Sequence, residues 1–346
     1  MSESLDEWKI FRELGDDLKQ NIRLAVVFRG SAIYVTKDDE VFGFGKNEEG
    51  FLGTGDMKPH TEHTKIEQLC GQNIQGLNFS NHSFFALSAS GSVFAWGRNN
   101  HGQLGLGTKE NTLIPTKIEG VLATNRVVQV ACSSNHTLVL TSDREVFTFG
   151  WNKNGQLGLG HNEDQTLPIK LDFPSAGGVV TAIACLFFSS VALLDSGEVF
   201  AWGKNDYGIL GQNADLKEQP VPCRVPGLEG ITITRIVCGQ IHALAVSSNG
   251  KVYSWGWNAH GQLGNGTKEN SHRPTLIAGD FGRIKDVAAH ITLHLSAAVT
   301  EADEVFVWGF NGTTNLSPTK VSFTSLDELF AKTSNEALTF RPLRLE

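Results

Sequence analysis

Histidine and cysteine side chains recur along this chain of 346 residues at intervals that raise the question of metal binding. The histidines are His82, His136, His242 and His294, and the cysteines are Cys132, Cys185 and Cys238. Zinc accepts both groups as ligands, but they must converge to about 2 Å from one ion. We interpret the four histidines as one position of a repeated unit and the three cysteines as another, so that the members of each set lie on different units. We therefore predict hydrogen-bonded structural histidines and small buried cysteines, without a metal or a cofactor.

A glycine-rich segment, Gly102-Gln-Leu-Gly-Leu-Gly107, superficially resembles a phosphate-binding loop. It lacks the Lys-Ser/Thr pair that such a loop needs, and similar segments recur at 152–160 and 258–266. Dense glycines supply positive φ angles, so the recurrence indicates an ordered turn. No set of nucleophile, base and orienting group stands out. We therefore predict that the chain is not an enzyme.

The elements that position these residues are defined by an aromatic-Gly pair that repeats through the chain. The pairs are Phe44-Gly45, Trp96-Gly97, Phe149-Gly150, Trp202-Gly203, Trp255-Gly256 and Trp308-Gly309, whose glycines lie 52 or 53 residues apart. Each pair ends a run of period two, which is typical of a strand with one buried face. Two apolar runs around a polar turn and a proline complete each unit. The unit therefore contains about four short strands, as a propeller blade does.

Seven apolar double runs predict an all-β, seven-bladed propeller of about 53-residue repeats. The first double run is Ile22 to Thr36, and the last is Leu326 to Phe340, which has no aromatic-Gly strand after it. We expect segments at both chain ends to close the last blade, because closure removes exposed sheet edges. Residues 1–21 form a separate segment, in which Trp8, Phe11, Leu14 and Leu18 predict a short helix docked on the propeller formed by 22–346.

The complete pattern resembles the regulator-of-chromosome-condensation repeat family. Residues Gly91 to Gly107, Pro115 and Val130 to Leu140 match its consensus nearly throughout. A closer resemblance is to the propeller part of proteins that join these repeats to a BTB domain, through segments such as Leu52-Gly-Thr-Gly-Asp56. This resemblance implies a noncatalytic client-recognition propeller of a ubiquitin-ligase adaptor. The chain stops at Glu346, about where the BTB domain would begin, so we expect that domain to be absent.

The alternative function implied by the family is guanine-nucleotide exchange on a Ran-type small GTPase. The nearly constant unit length leaves little room for the wedge-like insertion of such exchange factors. The net charge of −8 argues against direct nucleic-acid binding. There is no apolar stretch of about 20 residues and no hydrophobic N-terminus, so we expect no membrane span and no signal peptide. Five cysteines without a secretory signal predict a reducing compartment, the cytoplasm and/or the nucleus. We expect this chain to be a monomer.

Loops that depart from the repeat consensus are the candidate binding sites, because propeller proteins place function in loops grafted on the fold. The segment Cys185-Leu-Phe-Phe-Ser189 replaces the usual Cys-Gly-x-x-His. We predict that Phe187 and Phe188 are an exposed apolar anchor for a protein partner. The alternative is that both rings pack against a neighbouring blade or the N-terminal helix.

Overall fold

The computed structural model describes residues 5, 8–174, 178–212, 214–279, 281–290, 294–310, 312–323, 325, 326, 328, 329, 343 and 344. Six antiparallel sheets form six blades of four consecutive strands each, and the sheet of blade 1 has a fifth, short strand from near the C-terminus. The first strands of successive blades contact one another, so they line the central axis, and the fourth strands lie at the outer edge.

The strands are numbered in chain order, and every blade contributes four of them. Blade 1 contains β1 (Ile22–Phe28), β2 (Ser31–Thr36), β3 (Val41–Gly45) and β4 (His60–Lys65). Blade 2 contains β5 (Ile74–Phe79), β6 (Ser83–Ser88), β7 (Val93–Gly97) and β8 (Thr112–Lys117). Blade 3 contains β9 (Val127–Cys132), β10 (His136–Thr141), β11 (Val146–Gly150) and β12 (Gln165–Lys170).

The remaining blades repeat this arrangement. Blade 4 contains β13 (Val180–Cys185), β14 (Ser189–Leu194), β15 (Val199–Lys204) and β16 (Glu218–Arg224). Blade 5 contains β17 (Ile233–Cys238), β18 (His242–Ser247), β19 (Val252–Gly256) and β20 (Ser271–Leu276). Blade 6 contains β21 (Ile284–Ala289), β22 (Leu295–Thr300), β23 (Val305–Phe310) and β24 (Thr314–Val321). A short strand, β25 (Leu343–Arg344), pairs with β1.

The repeated prolines lie on the outermost strands, as the sequence predicts. Pro115, Pro168, Pro274 and Pro318 belong to β8, β12, β20 and β24, each at the edge of its sheet. Proline has no N–H to donate to a further strand, so an edge position accommodates it without loss of a ladder hydrogen bond. The second strand of each blade lies between two partners and is almost entirely buried.

The repeated tryptophans connect neighbouring blades. The indole of Trp202 is fully buried, and its Nε1–H donates to the carbonyl oxygen of Gln156 in the preceding blade, at 3.0 Å. Trp96, Trp255 and Trp308 make the same bond to the preceding blade at 2.8 to 2.9 Å. A Cβ on Gly158 would lie 2.8 Å from Nε1 of Trp202, so the loop needs glycine to approach the ring. Each indole therefore links a strand to the glycine-rich loop of the blade before it.

Segments from both chain ends pack between blades 6 and 1. Leu5, Trp8 and Phe11 are buried in one apolar cluster with side chains from both blades, and Leu326 and Leu329 join the same cluster. This arrangement confirms the predicted propeller closed by the chain ends. The predicted count of seven blades agrees with six described sheets and this closing cluster, while 330–342 lie outside the described residues.

Two details of the terminal segments differ from the sequence predictions. The N-terminal helix is divided into a 3₁₀ turn (Lys9–Phe11) and helix α1 (Asp16–Asn21), because Gly15 between them is extended, with φ −62° and ψ 146°. The run beginning at Leu326 was predicted to be a strand, but the Leu329 N–H donates to the Ser325 carbonyl oxygen in a helical turn.

A second short helix, α2 (Val121–Thr124), precedes β9. None of the helices within the described part of the chain is long and apolar enough to span a membrane.

Candidate interaction surface

Antiparallel strands place two kinds of connection at opposite faces of the propeller. The turns between the first and second strands and the loops between the third and fourth strands share one face, which we call the aromatic face. The turns between the second and third strands, at 37–40, 89–92, 142–145, 195–198, 248–251 and 301–304, form the other face, which we call the acidic face. The glycine-rich segments all belong to the aromatic face.

Each glycine-rich loop of the aromatic face is organised by a buried asparagine that follows the aromatic-Gly pair. Asn99 donates through Nδ2 to the carbonyl oxygens of Thr108 and Glu110, both at 3.0 Å, and its Oδ1 accepts from the Leu104 N–H at 2.9 Å. Asn152 and Asn258 repeat this pattern. Three hydrogen bonds from one buried amide hold both ends of the loop together. The loops are therefore ordered before any partner binds.

Aromatic and imidazole rings from successive blades contact one another across this face. We call them the aromatic arc: His101, Trp151, Phe187, Phe188, Tyr207, Trp257, His260, His294 and Phe310. The first stretch joins His101 to Trp151 and Trp151 to Phe188, with ring centroids 5.7 and 5.0 Å apart. Tyr207 is 48% exposed and Phe310 37% exposed. Such side chains are common at the centres of protein interfaces, because they bury large areas with few rotatable bonds.

The second stretch of the arc runs from blade 4 to blade 6. Tyr207 contacts Trp257 at 6.1 Å, and Trp257 contacts His294 edge-on at 4.7 Å. The imidazoles of His260 and His294 are stacked at 5.0 Å with an interplanar angle of 2°, and His260 contacts Phe310 at 5.6 Å. Three neighbouring blades thus contribute aromatic and imidazole rings to one continuous surface.

Phe187 and Phe188, the residues that the sequence singles out, occupy the end of the first stretch. Both are half-buried, and their ring centroids are 4.1 Å apart. Phe188 packs against Trp151 of blade 3, and the ammonium group of Lys204 lies 5.3 Å from its ring centroid. The Phe187 N–H donates to the Gln240 carbonyl oxygen of blade 5 at 3.0 Å. The rings pack against a neighbouring blade and still reach the surface, and neither belongs to the cluster around the N-terminal segment.

The four histidines do not share one repeat position, which corrects the sequence prediction. His136 and His242 lie opposite Gly150 and Gly256 on the second strands, whereas Ser83 and Leu295 occupy this position in blades 2 and 6. His82 and His294 precede it by one residue, in the turn. A shift of one residue in a strand reverses the side-chain direction. His136 and His242 are therefore buried, while His82 and His294 remain partly exposed on the aromatic face.

The two buried histidines link blades, as structural histidines do. His136 contacts the hydroxyl groups of Ser133 at 2.7 Å and Ser190 of the next blade at 2.9 Å. His242 contacts the Ser296 hydroxyl at 2.9 Å. Burial disfavours the charged imidazole and lowers the pKa of both residues to about 3. Both side chains are therefore neutral at pH 7.

The repeated cysteines end the first strands of blades 3, 4 and 5, in equivalent positions. All three are free thiols. Burial raises the pKa of Cys132 and of Cys238 to about 12, and it raises the pKa of Cys185 well above its usual range. Within the described residues, no group of three or more His, Cys, Asp or Glu side chains is arranged to hold a metal ion.

Most of the aromatic arc was not predicted from the sequence, although a signal for it is present. The residue immediately after each aromatic-Gly pair reaches this face, and the six residues at this position are Lys46, Arg98, Trp151, Lys204, Trp257 and Phe310. Three are cations, three are aromatic, and none is acidic. Alignment of the repeats on the glycine would have revealed this position. The contacts between these side chains of different blades could not be predicted, because they form only in the folded propeller.

The fold and this surface define a class of protein: a β-propeller whose ordered loops present aromatic and cationic side chains on one face. The chain belongs to the RCC1-like domain family, which matches residues 17–332.

Relatives of known name support this assignment. The chain is 33% identical to the ultraviolet-B receptor UVR8 of Arabidopsis thaliana over 273 residues, which cover 78% of this chain and 60% of UVR8. It is 37% identical to the human E3 ubiquitin-protein ligase HERC2 over 254 residues, which cover 73% of this chain and 5% of HERC2. The chain therefore spans only part of these relatives.

Solved structures show the same fold. Human WBSCR16 superimposes with a TM-score of 0.70 and 29% identity, over 81% of this chain and 73% of that one. Prp20p of Saccharomyces cerevisiae, described with its binding to Gsp1p and histones, gives a TM-score of 0.74 and 23% identity over 92% of this chain and 80% of its own.

Proposed function

We propose that this chain is a noncatalytic scaffold that binds a protein partner through the aromatic face. The observation that carries this proposal is the aromatic arc: two stretches of contacting rings, one from blades 2 to 4 and one from blades 4 to 6, form a partly exposed surface on ordered loops. Ordered loops lose little conformational entropy on binding, and rigid aromatic side chains supply most of the energy in many protein interfaces.

The finer proposal is that the partner is the client of a ubiquitin ligase, which the propeller recognises in the cytoplasm or nucleus. Its support is the resemblance to BTB-linked propellers and the likeness to the repeat segment of HERC2, which is named as an E3 ubiquitin-protein ligase. The alternative function is nucleotide exchange on a Ran-type GTPase. Its support is the family and the shared fold of Prp20p.

A photo-crosslinking experiment with two matched positions tests the scaffold proposal. A benzophenone amino acid is placed at Tyr207 on the aromatic face, or at the exposed Asn249 on the acidic face, in cells that express the protein. We expect a specific crosslinked protein from position 207 that is absent from position 249. Crosslinking from position 249 alone, or the same products from both, would contradict the proposal.

Nucleotide release separates the two functions. Purified chain is mixed with Ran that carries labelled GDP, and release is followed over time. The scaffold proposal predicts the rate of Ran alone. A large acceleration that increases with the concentration of the chain would favour the exchange function.

A further inference from the structure

The loop of blade 4 lacks the glutamine that occupies the equivalent position in blades 2, 3 and 5, where it is Gln103, Gln156 and Gln262. In blade 2 the buried Gln103 accepts the His101 N–H through Oε1 at 3.0 Å and donates from Nε2 to the Ser134 carbonyl oxygen of blade 3 at 3.3 Å. Ile209 takes this position in blade 4 and makes neither bond. The residue equivalent to His101 is Tyr207, which adopts a left-handed φ of 60° and is 48% exposed. A bulky residue in this conformation is strained, and such strain is concentrated at functional sites.

A groove lies at this boundary, between the two stretches of the aromatic arc. Leu186 and Ile209, both buried, form its floor, and Phe187, Phe188, Tyr207 and Ile241 form its walls. Its volume is about 270 Å³. This is slightly below the range of roughly 300–1,000 Å³ that is usual for small-molecule pockets. The size suits one large apolar side chain of a partner.

The charges at the rim of the groove neutralise each other. The Lys204 ammonium group pairs with the Asp206 carboxylate at 2.7 Å, so neither leaves an uncompensated charge for a ligand. An apolar anchor therefore matches the groove better than a charged one, because burial of an unpaired charge is unfavourable.

A depression on the axis connects this groove with blade 2. It shares Leu186, Phe187 and Gln240 with the groove and continues past Ser133 and Ser134 to Asn81. The depression is small, about 20 Å³, so an extended partner segment would pass over it and would not fill it. The groove and the blade 2 end of the depression thus belong to one path across the face.

Blades 1 and 2 carry an excess of positive charge at this end of the path. Arg29, Lys46 and Arg98 are exposed, and none of them is in an ion pair with another described residue. The loops of these two blades also carry the cations Lys58 and Lys109 and the acids Glu48, Glu49, Asp56 and Glu110, so that with Arg29, Lys46 and Arg98 the five cations exceed the four acids by one. Glu49 pairs with His82 at 3.3 Å. The chain as a whole has a net charge of −8, so this sector differs in sign from the average surface. Acidic side chains of a partner complement it.

We propose that the aromatic face binds a partner segment that places a bulky apolar side chain in the groove between blades 4 and 5 and acidic side chains against Arg29, Lys46 and Arg98. This inference rests on the proposed scaffold function and specifies the chemistry of its partner. Aromatic rings with cations also occur in single-stranded nucleic-acid sites. The net negative charge and the neutral rim of the groove favour a protein.

The experiment uses the full chain, labelled at isoleucine δ1 methyl groups for NMR, because Ile209 and Ile241 line the groove. Three series of synthetic peptides carry Phe and two Glu, Ala and two Glu, or Phe and two Lys, with spacers of two to six Gly or Ser residues. An oligouridylate is the nucleic-acid probe. We expect the Phe–Glu peptides to shift both methyl signals and to bind about tenfold more tightly than either counterpart.

Matched variants locate the two contacts. Tyr207→Ala should weaken the Phe–Glu peptide about tenfold, and Arg98→Ala should weaken it several-fold while both methyl signals still shift. Val221→Ala, which removes an exposed apolar side chain from β16, is the control and should bind like the wild type.

Equal binding of the three peptide series, shifts confined to other methyl groups, or tighter binding of the oligouridylate would overturn the proposal. If position 207 crosslinks a protein in cells while no Phe–Glu peptide binds, the scaffold function stands and the assigned partner chemistry is wrong. If neither occurs, both proposals fail.

Discussion

The two faces of the propeller differ in how their charged side chains are arranged. On the acidic face, Glu40 and Glu198 immediately precede third strands and pair with Lys65 and Arg224 of the fourth strands, both at 2.9 Å. Glu145 pairs with Lys170 and Glu304 with Lys320 in the same register. On the aromatic face, Arg29, Lys46 and Arg98 are among the exposed cations that have no ion-pair partner within the described residues, and aromatic rings accompany them. The acidic face thus repeats one internal ion pair in four blades, while its Lys37, Arg144 and Lys251 are exposed without an ion pair among the described residues. The aromatic face combines its unpaired cations with exposed rings, and this combination suits a partner.

This difference arises from loop sequences on a common framework. The same strand register, tryptophan contacts and loop asparagines recur in several blades. What varies is the residue after each aromatic-Gly pair and the residues of the first turn. The comparison teaches that the repeat maintains the fold and that departures from the repeat define the binding face.

The largest change in the free energy of unfolding is expected when a buried tryptophan of the framework is compared with a tryptophan of the aromatic face. Trp202→Ala should lower the free energy of unfolding by about 3–5 kcal/mol, because it removes a fully buried ring. Trp202→Phe should cost about 1–3 kcal/mol, through loss of the bond to the buried Gln156 carbonyl. Trp151→Ala, on the aromatic face, should cost about 1 kcal/mol. Chemical denaturation measures all three, and equal losses for Trp151→Ala and Trp202→Ala would remove the distinction.

The buried histidines below the aromatic face should make stability depend on pH. His136 and His242 have a pKa of about 3 in the folded state and about 6.5 when unfolded. The unfolded chain therefore binds protons first as the pH falls, and stability declines from about pH 6.5 toward pH 3. Each histidine contributes a slope of about 1.4 kcal/mol per pH unit.

Denaturation midpoints between pH 7 and pH 4 check this dependence. His136→Asn should be less stable than the wild type at pH 7, because it loses contacts with two serines, and its stability should fall less steeply with pH. His161→Asn, at an exposed position, is the control and should keep the wild-type slope. An unchanged slope in His136→Asn would contradict the buried, neutral state.

Changes of charge on each face test the comparison with a smaller loss of stability. Arg98→Glu should reduce crosslinking of the partner from position 207 about tenfold, because it opposes the acidic partner that we propose. Glu198→Gln on the acidic face breaks a partly exposed ion pair, so we expect less than about 1 kcal/mol of destabilisation and unchanged crosslinking. The opposite pattern of crosslinking would assign the partner to the acidic face.

The smallest change in stability is expected for Ile209→Gln, which restores the repeat residue in blade 4. The new amide would face the Gln240 carbonyl oxygen, the counterpart of the acceptor used by Gln103. Stability should change by less than about 1 kcal/mol, while the Phe–Glu peptide should bind about tenfold more weakly, because an amide replaces the apolar floor of the groove. Ile209→Val keeps the groove apolar and serves as the control. Retained peptide binding in Ile209→Gln would show that the groove is not the anchor site.

The repeated framework could be predicted from the sequence because its signals are local. Period-two runs, edge prolines and glycine-rich turns each reflect one strand or one turn. The histidine prediction was wrong because the histidines were not aligned on the glycine of each repeat. From Gly97 to Gly309 the glycines are 53 residues apart, whereas His82 and His136 lie 54 apart and His242 and His294 lie 52 apart. One residue decides which side of a strand is buried. Gly15 likewise divides a helical pattern that the apolar spacing alone makes continuous.

The candidate surface was predicted only in part. Phe187 and Phe188 stood out because they replace a consensus motif. Trp151, Trp257 and Phe310 did not, because their role depends on contacts between blades. Prediction of the groove requires still more structural information. The isoleucine that replaces a repeat glutamine matters only because a particular turn of the next blade lies beside it. Such adjacency is a property of the closed ring and not of any single unit.

Hydrogen–deuterium exchange of the complex with the crosslinked partner tests the central claim most directly. Amide exchange is compared between the free chain and the complex along both faces. We predict slower exchange at 186–188, 204–209 and 239–241 on the aromatic face, with no change at 142–145 and 195–198 on the acidic face. Protection confined to the acidic turns, with unchanged exchange around the groove, would contradict the assignment of the aromatic face as the binding surface.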